Sequence, residues 1–194
     1  MRSIWVRRAV DLLLALAISV GIASAGDKTM SYEEALVYSA APEVGYLVPD
    51  SEAEKMAIER FSQFIAHMQA TNIGDNARQV YAEDAYFNDT IKELTGNEAI
   101  GAYLAESLEA TDQVKVEVVD VARSGIDYYY RWVMDIKFRN LNGGGWARSE
   151  GMSHIRFNAE GRVVLHRDYW DAAGGLFAYM PVIGSVIKWI KGRI

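Results

Sequence analysis

The stretch from Asp127 to Arg139 constrains the fold more than any other part of the sequence, because its apolar residues fall at every second position. All of its even-numbered residues are apolar: Tyr128, Tyr130, Trp132, Met134, Ile136 and Phe138. Alternate side chains of a strand lie on opposite faces of the sheet, so the pattern predicts a strand with one wholly apolar face. Burying a large apolar side chain stabilises a fold by about 1.5–3 kcal/mol, and other elements must therefore cover this face.

Further strands are predicted on both sides of this one, over residues 113–123, 146–158 and 162–171. Short turns containing glycine or asparagine, at 140–145 and 159–161, join the last three strands. Such turns predict an antiparallel meander.

Helices are predicted ahead of the long strands. Ser51 is a candidate N-cap, and Glu54 three residues later completes a capping box. Apolar residues then recur at helical spacing as far as 72–74: Ile58, Phe61, Phe64, Ile65 and Met68. A short helix over 76–82, a brief strand over 85–88 and a third helix from Asn97 follow. Helices first and strands afterwards indicate an α+β fold.

Two other stretches are predicted to lie outside this core. Residues 26–50 have no clean periodicity and are interpreted as a linker or an N-terminal arm. Arg148, Glu150, His154 and Arg156 share one strand face, and this alternation of charge is typical of a solvated sheet surface.

Charge and composition exclude several functions. The net charge is −6, and an acidic protein without a basic face is not expected to bind nucleic acid. The absence of cysteine removes disulfides, zinc–thiolate sites and cysteine nucleophiles. With three histidines and no HxH or HxxxH pair, we expect neither a metal site nor a cofactor.

Residues 1–25 have the three parts of a secretory signal peptide: basic residues, an apolar run over 12–22 and a small-residue motif at 23–25. We therefore expect a periplasmic or secreted protein. The alternative is an uncleaved N-terminus that anchors the protein in the inner membrane.

Residues 174–194 predict an amphipathic C-terminal helix that ends in Lys188, Lys191 and Arg193. Its apolar face has two interpretations. It closes the base of the domain or the mouth of a pocket, which we favour, or it lies on an anionic membrane surface.

Three motifs carry a family resemblance: Gly74-Asp75, YAEDAYFNDT over 81–90, and FNAEGRVVLHRDYWD over 157–171. In this order they resemble the nuclear transport factor 2-like superfamily. The chain is most similar there to SnoaL-like domains, which are related to ketosteroid isomerase and limonene epoxide hydrolase. The resemblance implies a SnoaL-like domain over 51–173. Its fold would be a cone-shaped, strongly curved antiparallel sheet with helices on the concave face, plus the C-terminal helix.

The resemblance also implies catalytic candidates. Asp89 lies where isomerase-like proteins have a proton-abstracting aspartate, and its alternative role is to cap its own turn. Asp168 matches an aspartate that epoxide hydrolases use to activate water, and His166 shares its strand face. Asp168 is alternatively a structural carboxylate.

Other residues of the two enzyme templates are missing. The isomerase tyrosine position falls in the first helix, which has no tyrosine, and Ser153 replaces the partner acid. The hydrolase arginine is matched by Arg131, but Val133 replaces its acid.

These gaps favour a pocket that binds a small hydrophobic molecule. Its expected lining is Tyr130, Trp132, Phe64, His67, Ser153 and Trp170. One alternative is an isomerase, cyclase or hydrolase that uses aspartate acid–base catalysis on a lipid-, steroid- or polyketide-like substrate. Another is a homodimeric structural or interaction module, and whether the protein is an enzyme stays open.

Overall fold

The computed structural model describes residues 29–69 and 71–193, so the predicted signal peptide lies outside it. The helices are α1 (Tyr32–Tyr38), α2 (Glu52–Ala66), α3 (Ile73–Val80), α4 (Asn97–Glu109), α5 (Ala172–Gly175) and α6 (Ile183–Lys191). The strands are β1 (Tyr81–Asn88), β2 (Glu93–Thr95), β3 (Thr111–Ser124), β4 (Asp127–Phe138), β5 (Trp146–Phe157) and β6 (Val163–Trp170). Across these described ranges, none of the helices has the length and apolar character needed to span a membrane.

The six strands form one curved, unclosed sheet in the order β2-β1-β6-β5-β4-β3. Strands β3 to β6 make the predicted antiparallel meander. The pairing of β1 with β6 is parallel and brings Phe87 beside His166. The α+β fold class is therefore confirmed, with a mixed sheet in place of a wholly antiparallel one.

The apolar face of β4 turns toward the helices, as its alternation predicts. Tyr128, Tyr130 and Trp132 are buried, whereas the later even positions are half-buried. Phe61 of α2 packs edge-on against Tyr130, with ring centroids 4.9 Å apart. We call this covered side of the sheet the inner face and the opposite side the outer face.

Helix α2 begins at the predicted N-cap, but only half of the capping box forms. Ser51 Oγ accepts a hydrogen bond from Glu54 N at 3.1 Å. The Glu54 carboxylate accepts from Asp50 N at 2.5 Å and from Tyr128 Oη at 2.7 Å. Glu54 also pairs with Arg123 at 3.3 Å. Its carboxylate is buried against the sheet, so it links α2 to β3 and β4 instead of closing the box.

Helix α1 lies in the stretch that sequence periodicity left without structure. A complete capping box between Ser31 and Glu34 opens the helix, which is too short for apolar periodicity to reveal. Ala35 packs against Tyr86 and Leu165 on the outer face. The N-terminal segment therefore covers part of the sheet side opposite α2.

The predicted solvated surface on β5 is wrong for His154, which α1 buries to 4% exposure. Tyr32 Oη lies 2.9 Å from its Nδ1, and Asp127 Oδ1 lies 2.6 Å from its Nε2. Arg156 donates to Leu36 O at 2.8 Å. Charged and polar side chains of this face thus hold α1 in place.

Several predicted boundaries differ from the structure. Helix α2 ends at Ala66 instead of 72–74, and α3 spans Ile73–Val80 instead of 76–82. Strand β1 begins at Tyr81, four residues before the prediction, and β2 was not predicted. The C-terminal helix is present as α6 but is shorter than 174–194. Pro181 and the positive φ of Val182 separate it from a 3-10 turn at Phe177–Tyr179.

The buried links of Glu54 lead to a stability prediction. Glu54→Ala leaves the Tyr128 hydroxyl and Arg123 without their acceptor, and we expect it to lower the free energy of unfolding by about 2–4 kcal/mol. Glu59→Ala, at an exposed position of the same helix, serves as the control and should cost less than about 0.5 kcal/mol. Urea denaturation measures both values, and equal values would contradict the structural role of Glu54.

Candidate functional site

Strand β6 places His166, Asp168 and Trp170 on the inner face, because alternate residues of a strand share a side. On the neighbouring strand β5, Ser153 pairs with Asp168 and Ile155 pairs with His166. Two sequence-predicted catalytic residues and two predicted lining residues therefore meet at the centre of this face.

Both hydrogen bonds to the Asp168 carboxylate reach the same oxygen. Ser153 Oγ donates to Asp168 Oδ1, and His166 Nε2 lies 2.8 Å from that oxygen. No residue in the described part of the chain donates to Asp168 Oδ2. The Asp168 side chain keeps 16% of its surface exposed. One oxygen is thus fixed by two donors, and the other has no donor among the described residues.

The two donors are themselves oriented by buried neighbours. Trp132 Nε1 donates to Ser153 Oγ at 3.0 Å, and Tyr81 Oη lies 2.7 Å from His166 Nδ1. We call these five residues the Asp168 network: Trp132, Ser153, Asp168, His166 and Tyr81.

The direction of each bond in the Asp168 network follows from the chemistry of its members. The tryptophan N–H can only donate, so the Ser153 hydroxyl is free to donate onward to Asp168. Tyr81 is fully buried, and the hydrogen bonds of the described residues offer its hydroxyl no acceptor other than His166 Nδ1. The imidazole proton therefore lies on Nε2 and points to Asp168. Both donors converge on Asp168 Oδ1, which acts as the acceptor of the network.

Aromatic rings surround the His166 side of the network. Phe61 and Phe87 pack edge-on against the imidazole, at centroid distances of 5.4 and 5.0 Å. Burial and the nearby charges of Asp168 and Asp89 raise the pKa of Tyr81 well above its usual range. The phenol therefore stays protonated as a donor, and the apolar surroundings strengthen the bonds that it supports.

A glycine on β5 makes the Trp132 contact sterically allowed. A Cβ at Gly151 would lie 2.4 Å from an atom of the Trp132 ring, well inside contact distance. The bare backbone lets the indole lie across β5 and reach Ser153. Sequence patterning could not reveal this requirement, because Gly151 and Trp132 are on different strands.

Asp89 has the geometry of the turn-capping alternative. Its Oδ1 accepts from the backbone N of Ile91 at 2.9 Å and of Lys92 at 2.8 Å. Its Oδ2 accepts from Tyr103 Oη at 2.6 Å. Both carboxylate oxygens are occupied, unlike those of Asp168. Burial raises the pKa of Asp89 despite these three hydrogen bonds, and the charge of Asp168 adds to the rise.

The remaining predicted residues divide into three groups. Trp170 Nε1 donates to Asp89 O at 2.7 Å and so joins β6 to the Asp89 turn. Phe64 and Tyr130 are buried in the aromatic core beside the network. His67 is exposed at the end of α2, where its Nδ1 lies 3.1 Å from Gln63 O, so the structure does not bring it to the site.

Sequence reasoning missed Tyr81 and Tyr103. Tyr81 opens the YAEDAYFNDT motif, but the sequence pattern assigned it to the short helix over 76–82, whereas it is the first residue of β1. Nothing in the local pattern joins Tyr103 to Asp89, because α4 brings them together in space.

Other candidate ligand sites among the described residues would be a metal-binding cluster or a surface depression. Within residues 29–69 and 71–193, no group of three or more acidic or histidine side chains could hold a metal ion. A surface depression of about 560 Å³ is lined in part by Val119, Met152 and Tyr169. Met152 and Tyr169 alternate with the inner-face residues, so this depression opens on the outer face.

Comparisons with known proteins identify the family. The sequence profile of the SnoaL-like domain matches residues 61–166, which is more than half of the chain. The chain therefore belongs to the SnoaL-like domain family. No curated protein matches the sequence.

Solved structures show the same fold at low sequence identity. One is a protein from a Jannaschia species that is described as a SnoaL-like polyketide cyclase and is 15% identical to this chain. The alignment covers 69% of this chain and 98% of that chain, with a TM-score of 0.58. An epoxide hydrolase from M. tuberculosis is 13% identical, with 72% and 98% covered at a TM-score of 0.53. A protein from Catenulispora acidiphila with a ketosteroid isomerase-like fold, in complex with trimethylamine, is 16% identical to this chain. The alignment covers 64% of this chain and 91% of that chain, with a TM-score of 0.54. The nuclear transport factor 2-like fold is thereby confirmed.

The close approach at Gly151 gives a prediction for the Asp168 network. Gly151→Ala should displace the Trp132 indole from Ser153 and lower the free energy of unfolding by about 1–3 kcal/mol. Gly74→Ala is the control, because a Cβ in helix α3 meets its nearest neighbour at an ordinary 3.9 Å. Urea denaturation of both variants tests the contact, and a neutral Gly151→Ala would show that the indole does not lie over β5.

The raised pKa of Asp89 predicts a pH-dependent difference in stability. The folded state binds the Asp89 proton more tightly than the unfolded state, so the contribution of Asp89 to wild-type stability falls as pH rises from the ordinary pKa of 3.8 through the raised value. Asp89→Asn keeps an oxygen for the turn and has no such titration. The free energy of unfolding of the variant, relative to wild type, should therefore increase across this window. Denaturation curves at several pH values measure it, and a constant difference would contradict the assignment.

Proposed function

We propose that this protein binds a small, largely apolar molecule on the inner face, with a hydroxyl or N–H group of that molecule donating to Asp168 Oδ2. One observation carries the proposal: two donors occupy Oδ1, whereas no described residue donates to Oδ2. A carboxylate beside aromatic rings is costly to desolvate, so a ligand that covers the partly exposed Oδ2 would have to supply a donor.

The contrast with Asp89 supports a binding role for Asp168. Asp89 is a structural carboxylate, and the protein occupies both of its oxygens. Asp168 Oδ1 also accepts two hydrogen bonds from the protein, whereas no described residue donates to its Oδ2. Polar groups in an apolar setting are usually satisfied within the protein, so an oxygen without a protein donor points to a ligand.

The apolar part of the ligand would lie along β4. Beyond Trp132, the even positions Met134, Ile136 and Phe138 continue the inner face and are half-buried. Leu104 and Leu108 of α4 are also only partly buried against the core. Such apolar walls with a single polar anchor are the usual composition of a small-molecule site.

Acid–base catalysis by Asp168 is the second candidate function. In its ionised form Asp168 can take a proton from water or from a substrate at Oδ2, while Ser153 and His166 fix the position of Oδ1. The expected partners are lacking, however. Arg131 is exposed and pairs with Asp120, and the Ser153 proton is committed to Asp168. Binding is therefore the better-supported function.

The proposed place of action is outside the cytoplasm, in the periplasm or beyond it. Support comes from the signal-like composition of residues 1–25, with an uncleaved inner-membrane anchor as the alternative. N-terminal sequencing of the protein from its host distinguishes the two, because cleavage would start the mature chain near Gly26.

A matched pair of probes tests the role of Asp168 Oδ2. Naphthol and methoxynaphthalene share an apolar ring system, but only naphthol can donate a hydrogen bond. Because a hydrogen bond to a charged group is worth about 1.5–3 kcal/mol, wild type should bind naphthol at least about ten-fold more tightly. Fluorescence titration measures both dissociation constants.

Asp168→Asn should abolish this preference. Ser153 and His166 would hold the amide oxygen in the place of Oδ1, so the amide NH₂ would replace Oδ2 and face the probe as a donor. Asp120→Asn, on the exposed side of β3, is the control and should bind as wild type does. Equal affinities of wild type for the two probes, or a naphthol preference that survives Asp168→Asn, would overturn the proposal.

A further inference from the structure

Helix α6 has an exposed apolar stripe that no other described element covers. Its members are spaced three or four residues apart, and so they lie along one side of the helix. They are Ile183, Val186, Trp189 and Ile190, with exposed fractions of 40, 51, 57 and 44%. Val182, just before the helix, is 78% exposed. The favoured interpretation, that this face closes the domain, is therefore wrong. Helix α5 covers the domain next to Trp170 instead, because its Gly175 packs against Ser149 and Trp170.

Contacts at both ends of α6 keep this stripe pointing outward. A Cβ at Gly184 would lie 2.2 Å from Ala178 O, so glycine lets the helix start pack directly on the preceding 3-10 turn. At the other end, Lys191 Nζ donates to Asp171 Oδ2 at 2.8 Å. The exposed side chains thus belong to an attached helix with a defined orientation.

The charge of this segment is opposite to that of the rest of the domain. No aspartate or glutamate follows Asp171, whereas Lys188, Lys191 and Arg193 do. Residues 26–171 contain 25 acidic and 14 basic residues. Arg193 lies over the Trp189 ring, 4.1 Å from its centroid, which places a cation at the edge of the stripe. The apolar stripe and the cations beside it complement a surface in which an anionic layer lies above an apolar interior.

We propose that α6 docks in the plane of a membrane surface that contains anionic lipid. The stripe would lie at the boundary of headgroups and acyl chains, and the basic side chains would extend to the lipid phosphates. Tryptophan is favoured at that depth. A second copy of the chain fits less well, because symmetric pairing of two α6 stripes would bring like charges of Lys188 and Arg193 together.

The absence of cysteine allows a local test on the full-length chain. Val186→Cys provides a single thiol in the stripe for a polarity-sensitive fluorophore. Val37→Cys is the matched control, since Val37 is 76% exposed on α1. Vesicles of phosphatidylcholine with phosphatidylglycerol should shift the emission of the label at 186 to the blue and leave the label at 37 unchanged. Raised salt should reduce the shift.

A charge reversal separates docking by α6 from attachment through the N-terminal residues. Lys188→Glu, made with Val186→Cys, should weaken the vesicle-dependent shift by at least about five-fold in lipid concentration. A label at 186 that does not respond to vesicles would overturn the proposal. So would equal shifts at 186 and 37, or a shift that depends on protein concentration without lipid, which would identify a second copy as the occupant.

Discussion

The carboxylate of Asp168 is the constraint around which the inner face of this protein is organised. An ionised group in an aromatic core is costly, and Ser153 and His166 offset that cost at one oxygen. Each of them is oriented in turn, Ser153 by Trp132 and His166 by Tyr81. The network therefore joins β1, β4, β5 and β6, and it fixes the position of the carboxylate at which we propose that a ligand binds.

This arrangement explains the incomplete match to known enzymes of the fold. The position of the isomerase partner acid is Ser153, and its hydroxyl supports Asp168 instead of a reacting oxygen. The hydrolase arginine position, Arg131, is on the exposed side of β4 and pairs with Asp120. A SnoaL-like fold with these replacements retains a carboxylate on an apolar face, which is why we propose binding and not a specific reaction.

Much of the fold and part of the site could be predicted from sequence. The alternation in β4 gave the inward aromatic face, and the register of β6 placed His166 and Asp168 together. Helix α1 could not be predicted because it is short and is held by distant residues such as His154. The exposure of α6 could not be predicted either, since an apolar stripe has the same pattern whether a protein or a membrane covers it. The roles of Tyr81 and Gly151 depend on contacts between strands that local patterns do not contain.

The direction of the hydrogen bonds toward Asp168 is the central claim, and the tautomer of His166 tests it most directly. A long-range ¹H–¹⁵N NMR spectrum of the imidazole rings resolves which nitrogen carries the proton, and the chain has just three histidines to assign. The structure predicts a proton on Nε2 of His166 and a bare Nδ1 that accepts from Tyr81. A proton on Nδ1 would contradict the account, because Tyr81 would then be an acceptor and the network would no longer converge on the carboxylate.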